Sequence, residues 1–156
     1  MSFVDRLRPE LIRIAPPWRT FADTIRGLVD ALAAAGALPA SSAAAAADAV
    51  MAREADGSTA LVEIGAGVPH ARLPELRQPI VALAVSSAGF YEAVPTVPIR
   101  LVALVLSPSD SGTDHLDILA GIATLLRSAE LRARLLAATD AAGALAALRE
   151  HARALP

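Results

Sequence analysis

The sequence predicts an α/β protein, a three-layer α/β/α sandwich around a small mixed sheet. Three observations carry this. Helical spacing of apolar residues fills the first third, aliphatic and β-branched runs fill the middle, and helical spacing returns from Gly112 to the end. A sheet lying between two helical blocks has two apolar faces to cover, and covering both makes three layers. The order departs from regular strand–helix alternation, so a mixed sheet is expected.

Leu11-Ile12-Arg13-Ile14-Ala15 alternates and is closed by Pro16-Pro17, which predicts a short first strand and a turn. Thr20 with Asp23 three residues on has the form of a capping box. Phe21, Ile25, Leu28, Val29 and Leu32 then recur at helical spacing until Gly36. Ser41 or Ser42 can cap a second helix through the alanines to about Ala55, ended by Asp56-Gly57, and the two helices should pair as a hairpin. Thr59 to Ile64, Ile80 to Ser86 and Ile99 to Ser107 read as strands, the last two apolar enough to be central, with Phe90-Tyr91-Glu92 as a short edge strand. From Gly112, a helix capped by Ser111 or Thr113 should bury Leu116, Leu119, Ile122, Leu125 and Leu126. Two more helices follow, one after Ser128 and one after Thr139. Arg127 and Arg149 are placed to suit helix C-termini.

The 156 residues fit a single domain, 1–156, with enough chain for a real core. A net charge of −2 and the complete absence of lysine argue against nucleic acid as a partner. The mean hydropathy of +0.49 comes largely from alanine. The most apolar tract, Ala31 to Met51, is interrupted by Gly36, Pro39, two serines and Asp48, so no membrane-inserted segment is expected. Asp5, Arg6 and Arg8 near the start speak against a signal peptide. With no cysteine there is no disulfide or thiolate site, and a cytoplasmic location is expected.

The chemistry-bearing residues gather around Val68-Pro69-His70-Ala71-Arg72, which holds one of only three histidines. Gly65-Ala66-Gly67 makes the approach permissive and Pro69 stiffens it, which should hold the imidazole at the end of a turn. Arg53 and His115 are available to converge on it. Each has a plainer reading. His70 could bond only backbone, Arg53 could serve the dipole of the helix it ends, and His115 could bond a neighbour in its helix's first turn. Glu63 at a strand end could be a solvated carboxylate. His70, His115 and Asp114 lack the further ligands of a coherent metal site. Gly65-Ala66-Gly67 lacks the strand–turn–helix setting of a dinucleotide fingerprint. His151 sits among charges on the last helix and should lie at the surface, while Trp18 and Tyr91 are too isolated to suggest a stacking platform for nucleic acid.

Six segments together resemble one family. They are Ala33-Ala34-Ala35-Gly36, Arg53-Glu54, Gly57-Ser58-Thr59, Val68-Pro69-His70-Ala71-Arg72-Leu73, Leu104-Val105-Leu106-Ser107-Pro108 and Asp114-His115-Leu116-Asp117-Ile118-Leu119-Ala120. In order and spacing the chain resembles the enzyme IIA domains of the bacterial phosphoenolpyruvate-dependent phosphotransferase system, mannitol/fructose type, including the nitrogen-regulatory branch. The resemblance implies an α/β/α sandwich in which His70 accepts a phosphoryl group from the histidine phosphocarrier protein and passes it to an enzyme IIB cysteine, in sugar uptake or its regulation. It implies Arg53 and His115 as the other catalytic residues, Glu63 as an active-site neighbour, and no cofactor or metal. Two alternatives go with it. One is a regulatory module whose phosphorylation state governs binding to a target protein. The other is a diverged IIA-like binding domain without transfer. Relative to the family's usual pattern, Glu63 to Pro69 carries one extra residue, so Gly65 to Gly67 should form a bulge or a wider turn.

An imidazole of ordinary pKa is largely neutral in the cytoplasm, so it can attack phosphorus and later pass the group on. An arginine fork then matches the phosphoryl oxygens, and positioning dominates the catalysis.

Overall fold

The computed structural model describes residues 1–156. It opens on an element that periodicity does not announce, a single helical turn α1 (Phe3–Arg6). Ser2 Oγ accepts from the Asp5 N–H, and the Asp5 carboxylate accepts from the Ser2 N–H, completing a capping box. Strand β1 covers Ile12–Ile14. The expected Leu11 and Ala15 fall outside it, because Leu11 closes a 3-10 turn from Pro9 and Ala15 takes a φ of +51°.

Helix α2 (Phe21–Ala34) buries Ile25, Leu28, Val29 and Leu32. Thr20 Oγ1 accepts from the Asp23 N–H at 3.0 Å, but Asp23 makes no return bond, so the expected capping box is half made. Gly36 at φ +76° ends the helix, with the Ala37 N–H donating back to the Leu32 carbonyl. Helix α3 (Ala43–Ala55) packs against α2 through Ala46, Ala47 and Val50.

The middle of the chain is cut finer than its composition suggests. The run Thr59–Ile64 is not one strand: β2 holds only Ala60–Leu61, and Val62–Ile64 turns as a 3-10 helix. Gly65 at φ +65° closes that turn, and β3 (Ala66–Gly67) returns antiparallel to β2. The expected wider turn therefore exists, but it is Val62 to Gly65, with Ala66 and Gly67 already paired. His70 is not at the end of a turn: it opens strand β4 (His70–Leu73). After β5 (Ile80–Val85) comes a hairpin of β6 (Tyr91–Val94) and β7 (Val97–Ile99). Ile99 belongs to this hairpin, so the run expected to start there begins at Leu101 as β8 (Leu101–Pro108).

The sheet runs β1-β5-β8-β3-β2, with β4 also on β8. It is mixed, since β5 lies antiparallel to β8 while β3 and β4 lie parallel to it. β3 pairs Leu101–Val102 and β4 pairs Val105–Pro108, one after the other along the same strand. The gap between them falls at Val68-Pro69, and Pro69 has no N–H for the ladder. Its carbonyl still accepts from the Val105 N–H at 3.1 Å.

Helices α2 and α3 cover β5 and β4, while α4 (Gly112–Leu126), α5 (Ala129–Ala137) and α6 (Ala141–Ala154) pack on one another and on β8 and β1. The buried stripe of α4 is His115, Ile118, Ile122, Leu125 and Leu126. Leu116, expected on that face, is 63% exposed, because the stripe starts one residue earlier. Ser128 caps α5 through the Leu131 N–H, and Asp140, not Thr139, caps α6 through Gly143. Trp18 is not isolated, since a Cβ on Gly27 would fall on its ring and its other neighbour is Phe90. One core cluster of 41 buried residues runs from Phe3 to Leu148. No helix is long and apolar enough to cross a membrane.

Candidate active site

Along β4 the side chains alternate. Ala71 and Leu73 are buried, and His70 and Arg72 face outward. His70 Nδ1 lies 2.8 Å from the Val68 carbonyl oxygen. A carbonyl only accepts, so in the neutral ring Nδ1 carries the hydrogen and Nε2 keeps a free lone pair. The backbone just before Pro69 thus selects the nitrogen that is free to react.

His115 stands in the first turn of α4 and is 4% exposed. Its Nδ1 is 2.6 Å from Ser107 Oγ on β8. Ser111 does not cap this helix with its side chain, since its hydroxyl donates to the Pro108 carbonyl. The rings of His70 and His115 meet edge to face, with centroids 5.2 Å apart and planes at 65°. Burial, with added repulsion from the nearby Arg72 and His70, pushes the His115 pKa down to about 4. His115 is therefore an uncharged ring at neutral pH.

Arg53 lies in the last turn of α3, where its Nη1 donates to the Gly57 carbonyl at 2.9 Å. Next to it, the Glu54 carboxylate accepts from the Thr59 N–H and hydroxyl, tying the end of α3 to the start of β2. A cavity of about 260 Å³ is lined by Ala49, Arg53, His70, Ala71, Arg72 and His115. A second, of about 280 Å³, shares Arg53 and His70 and continues past Thr59 to Leu119.

The structure brings His70, His115 and Arg53 to one cavity. Glu63 is not with them: it sits exposed on the 3-10 turn and lines neither cavity, because the turn formed by Val62 to Gly65 holds it apart. Two residues escaped the sequence reading. Arg72 carried a signal, since a strand beginning at His70 puts it on the same face two residues on. Ser107 carried a fainter one, as the single polar residue in Leu101–Leu106 and its continuation. No three His, Cys, Asp or Glu side chains are grouped to hold a metal ion.

A family model described as phosphoenolpyruvate-dependent sugar phosphotransferase system, EIIA 2, matches residues 6–151. The chain belongs to this family. A fructose-specific EIIA component of the phosphotransferase system from Haloferax volcanii is 35% identical over 130 residues, 83% of this chain and 82% of the relative. A nitrogen regulatory protein from Bradyrhizobium diazoefficiens is 39% identical over 90 residues, 57% of this chain and 58% of the relative. Among solved structures, nitrogen regulatory protein IIA-Ntr from Neisseria meningitidis superposes with a TM-score of 0.77 at 23% identity, over 93% of this chain and 97% of that one. That likeness fixes the fold of this EIIA chain. Its family and relatives place its role in the phosphotransferase system, as phosphotransfer or as regulation.

Proposed function

We propose that this EIIA protein, working as one unit over residues 1–156 in the cytoplasm, is a phosphoryl relay whose acceptor is His70 Nε2. The observation that carries the reading is the Nδ1–H bond to the Val68 carbonyl. It leaves Nε2 unprotonated in a cavity lined by two arginines and a second histidine. In the loading step, the Nε2 lone pair forms a bond to phosphorus as the bond from phosphorus to the phosphocarrier's histidine breaks. In the second step, a thiolate of an enzyme IIB attacks the same phosphorus and the His70 N–P bond breaks. Both steps are in-line displacements whose barrier falls chiefly through positioning and charge.

Arg53 supplies guanidinium donors to the phosphoryl oxygens, with Arg72 a second fork on the strand that carries His70. His115, whose ring meets that of His70 edge to face, supplies a further donor. Because Nδ1 keeps its hydrogen throughout, the phosphorylated ring remains anchored to Val68 in the geometry of the free ring.

The test is reconstitution with phosphoenolpyruvate, enzyme I and the histidine phosphocarrier. Acid-labile, alkali-stable phosphate should appear on the parent and be absent from His70→Ala. Loading that persists in His70→Ala overturns the assignment, and so does a parent protein that never loads, which would leave a IIA-like binding domain. The fructose-specific relative, matched over 82% of its length, supports onward transfer to a IIB in sugar uptake. The nitrogen regulatory relative, at 39% identity, supports control of a target protein by phosphorylation state. Adding candidate IIB proteins separates these roles, since phosphate that loads but never moves on to a IIB favours regulation.

A further inference from the structure

We propose that Ser107 is a positioning residue of this site: its hydroxyl donates to His115 Nδ1 and fixes His115 as the Nε2–H tautomer, an uncharged donor facing the cavity beside His70 Nε2. What that N–H binds rests on the phosphoryl-acceptor reading above. The tautomer itself follows from hydrogen bonding alone.

Ser107 is fully buried in β8, the strand at the centre of the sheet. Its neighbours along the strand, Leu101 to Leu106 and Pro108, are buried and apolar. A hydroxyl in such surroundings destabilises the fold unless its bonds are made. Its one side-chain partner is His115 Nδ1, at 2.6 Å. Two arrangements fit that distance. If Nδ1–H donates, the hydroxyl hydrogen is left without an acceptor inside the protein. If the hydroxyl donates, its hydrogen is used and only oxygen lone pairs remain free, which is the smaller defect. The second arrangement leaves Nδ1 unprotonated, so in the neutral ring the hydrogen is on Nε2.

Where Nε2 points follows from the polar atoms that are sealed. Tyr91 Oη is the one fully buried side-chain polar atom without a partner. His115 Nε2 has no partner within the protein either, so it is not sealed, and the opening beside it is the cavity that His115 lines with His70, Arg53 and Arg72. Burial and the neighbouring Arg72 and His70 keep the ring from taking a second proton.

The two histidines are then opposite tautomers. His70 keeps its hydrogen on Nδ1 through a carbonyl and shows a lone pair, while His115 keeps its lone pair on Nδ1 through a hydroxyl and shows an N–H. Phosphoryl oxygens are acceptors, so a lone pair at His115 would repel the group that His70 Nε2 attracts. Ser107 prevents that arrangement without placing a charge in the site.

Long-range ¹H–¹⁵N correlation NMR on ¹⁵N-labelled protein at pH 7 decides the tautomers. The expected result is His115 protonated at Nε2 and His70 at Nδ1. His115 protonated at Nδ1 overturns the proposal whatever the variants do. In Ser107→Ala, the His115 Nδ1 resonance should move toward that of an unbonded pyridine-like nitrogen, the His70 tautomer should hold, and phosphate loading should slow by about tenfold or more. Ser107→Thr, which restores a hydroxyl, should bring back the bonded Nδ1 resonance and most of the rate. Unchanged Nδ1 resonance and loading in Ser107→Ala would also overturn it. If the tautomers are as stated and Ser107→Ala frees Nδ1, yet the parent never takes up phosphate, the tautomer lock stands and the relay reading alone fails.

Discussion

His70 and His115 are the same chemical group in two environments, and the difference is set by what each nitrogen touches. His70 is half-buried on the outward side of β4, with one nitrogen held by a carbonyl and the other open. His115 is buried in the first turn of α4 with only an edge open to the cavity, and a positive ring there would be repelled by Arg72 and His70. In the unfolded chain its pKa returns to near 6.5, so the unfolded state binds the proton more readily. The resulting stability is full above pH 6.5, is lost as pH falls through the window from 6.5 toward 4, and levels off below. The shift corresponds to roughly 3 kcal/mol between the ends of that window. Urea unfolding between pH 7 and pH 4.5 should show this slope in the parent and a flatter one in His115→Gln. Parallel slopes in the two proteins would mean that the buried ring is not what makes the fold acid-sensitive.

At the scale of elements, the β6–β7 hairpin supports the segment that leads into His70. Tyr91 meets the edge of Phe21 on α2, with centroids 5.0 Å apart and planes at 88°, and its Oη reaches over β3. A Cβ on Gly67 would fall on that oxygen, which is why glycine stands there although its backbone has no need of a positive φ. The hydroxyl bonds nothing, and burial with the nearby Glu54 carboxylate raises its pKa well above that of an ordinary phenol. Tyr91→Phe removes a buried hydroxyl that has no partner and should raise stability by about 1 kcal/mol. Gly67→Ala alone should be destabilising by about 1–3 kcal/mol through overpacking. In the Tyr91→Phe background that loss should shrink, giving a coupling of about 0.5 kcal/mol or more in a denaturant double-mutant cycle. Additive losses would show that the two residues do not press on each other.

Over the whole molecule, the long helices were legible because their apolar spacing and caps agree, as at Ile25, Leu28, Val29 and Leu32 between Thr20 and Gly36. That His70, Arg53 and His115 share one cavity was legible through the family resemblance carried by their segments. What was hidden depends on pairing over distance. β2 and β3 have two residues each, too few for a period, and β4 reads His-Ala-Arg-Leu, which looks like a loop until β8 pairs with it. Glu63 was misplaced because its position depends on where a turn closes, and Ser107 was missed because only the folded chain shows what its hydroxyl meets.

The β4–β8 register makes the last expectation specific. His70 pairs with Val105 and Arg72 with Ser107, so Val105 and Ser107 share the face of the two site residues, while Leu104 and Leu106 share the opposite face with Ala71 and Leu73. All four β8 residues are completely buried, so burial alone does not distinguish them. Leu106→Ala should cost about 2–5 kcal/mol through the lost side chain and the cavity left behind. Because that cavity opens on the far face, phosphate uptake per folded molecule should stay near the parent's. Val105→Ala removes fewer atoms and should cost less stability, yet it loosens the strand face on which His70 and Ser107 are set, so uptake per folded molecule should fall further than in Leu106→Ala. Denaturant titration and phosphate loading on the same two variants should therefore rank them in opposite orders. If both measurements rank them alike, the site depends on the stability of the whole sheet and not on the face that register assigns to it.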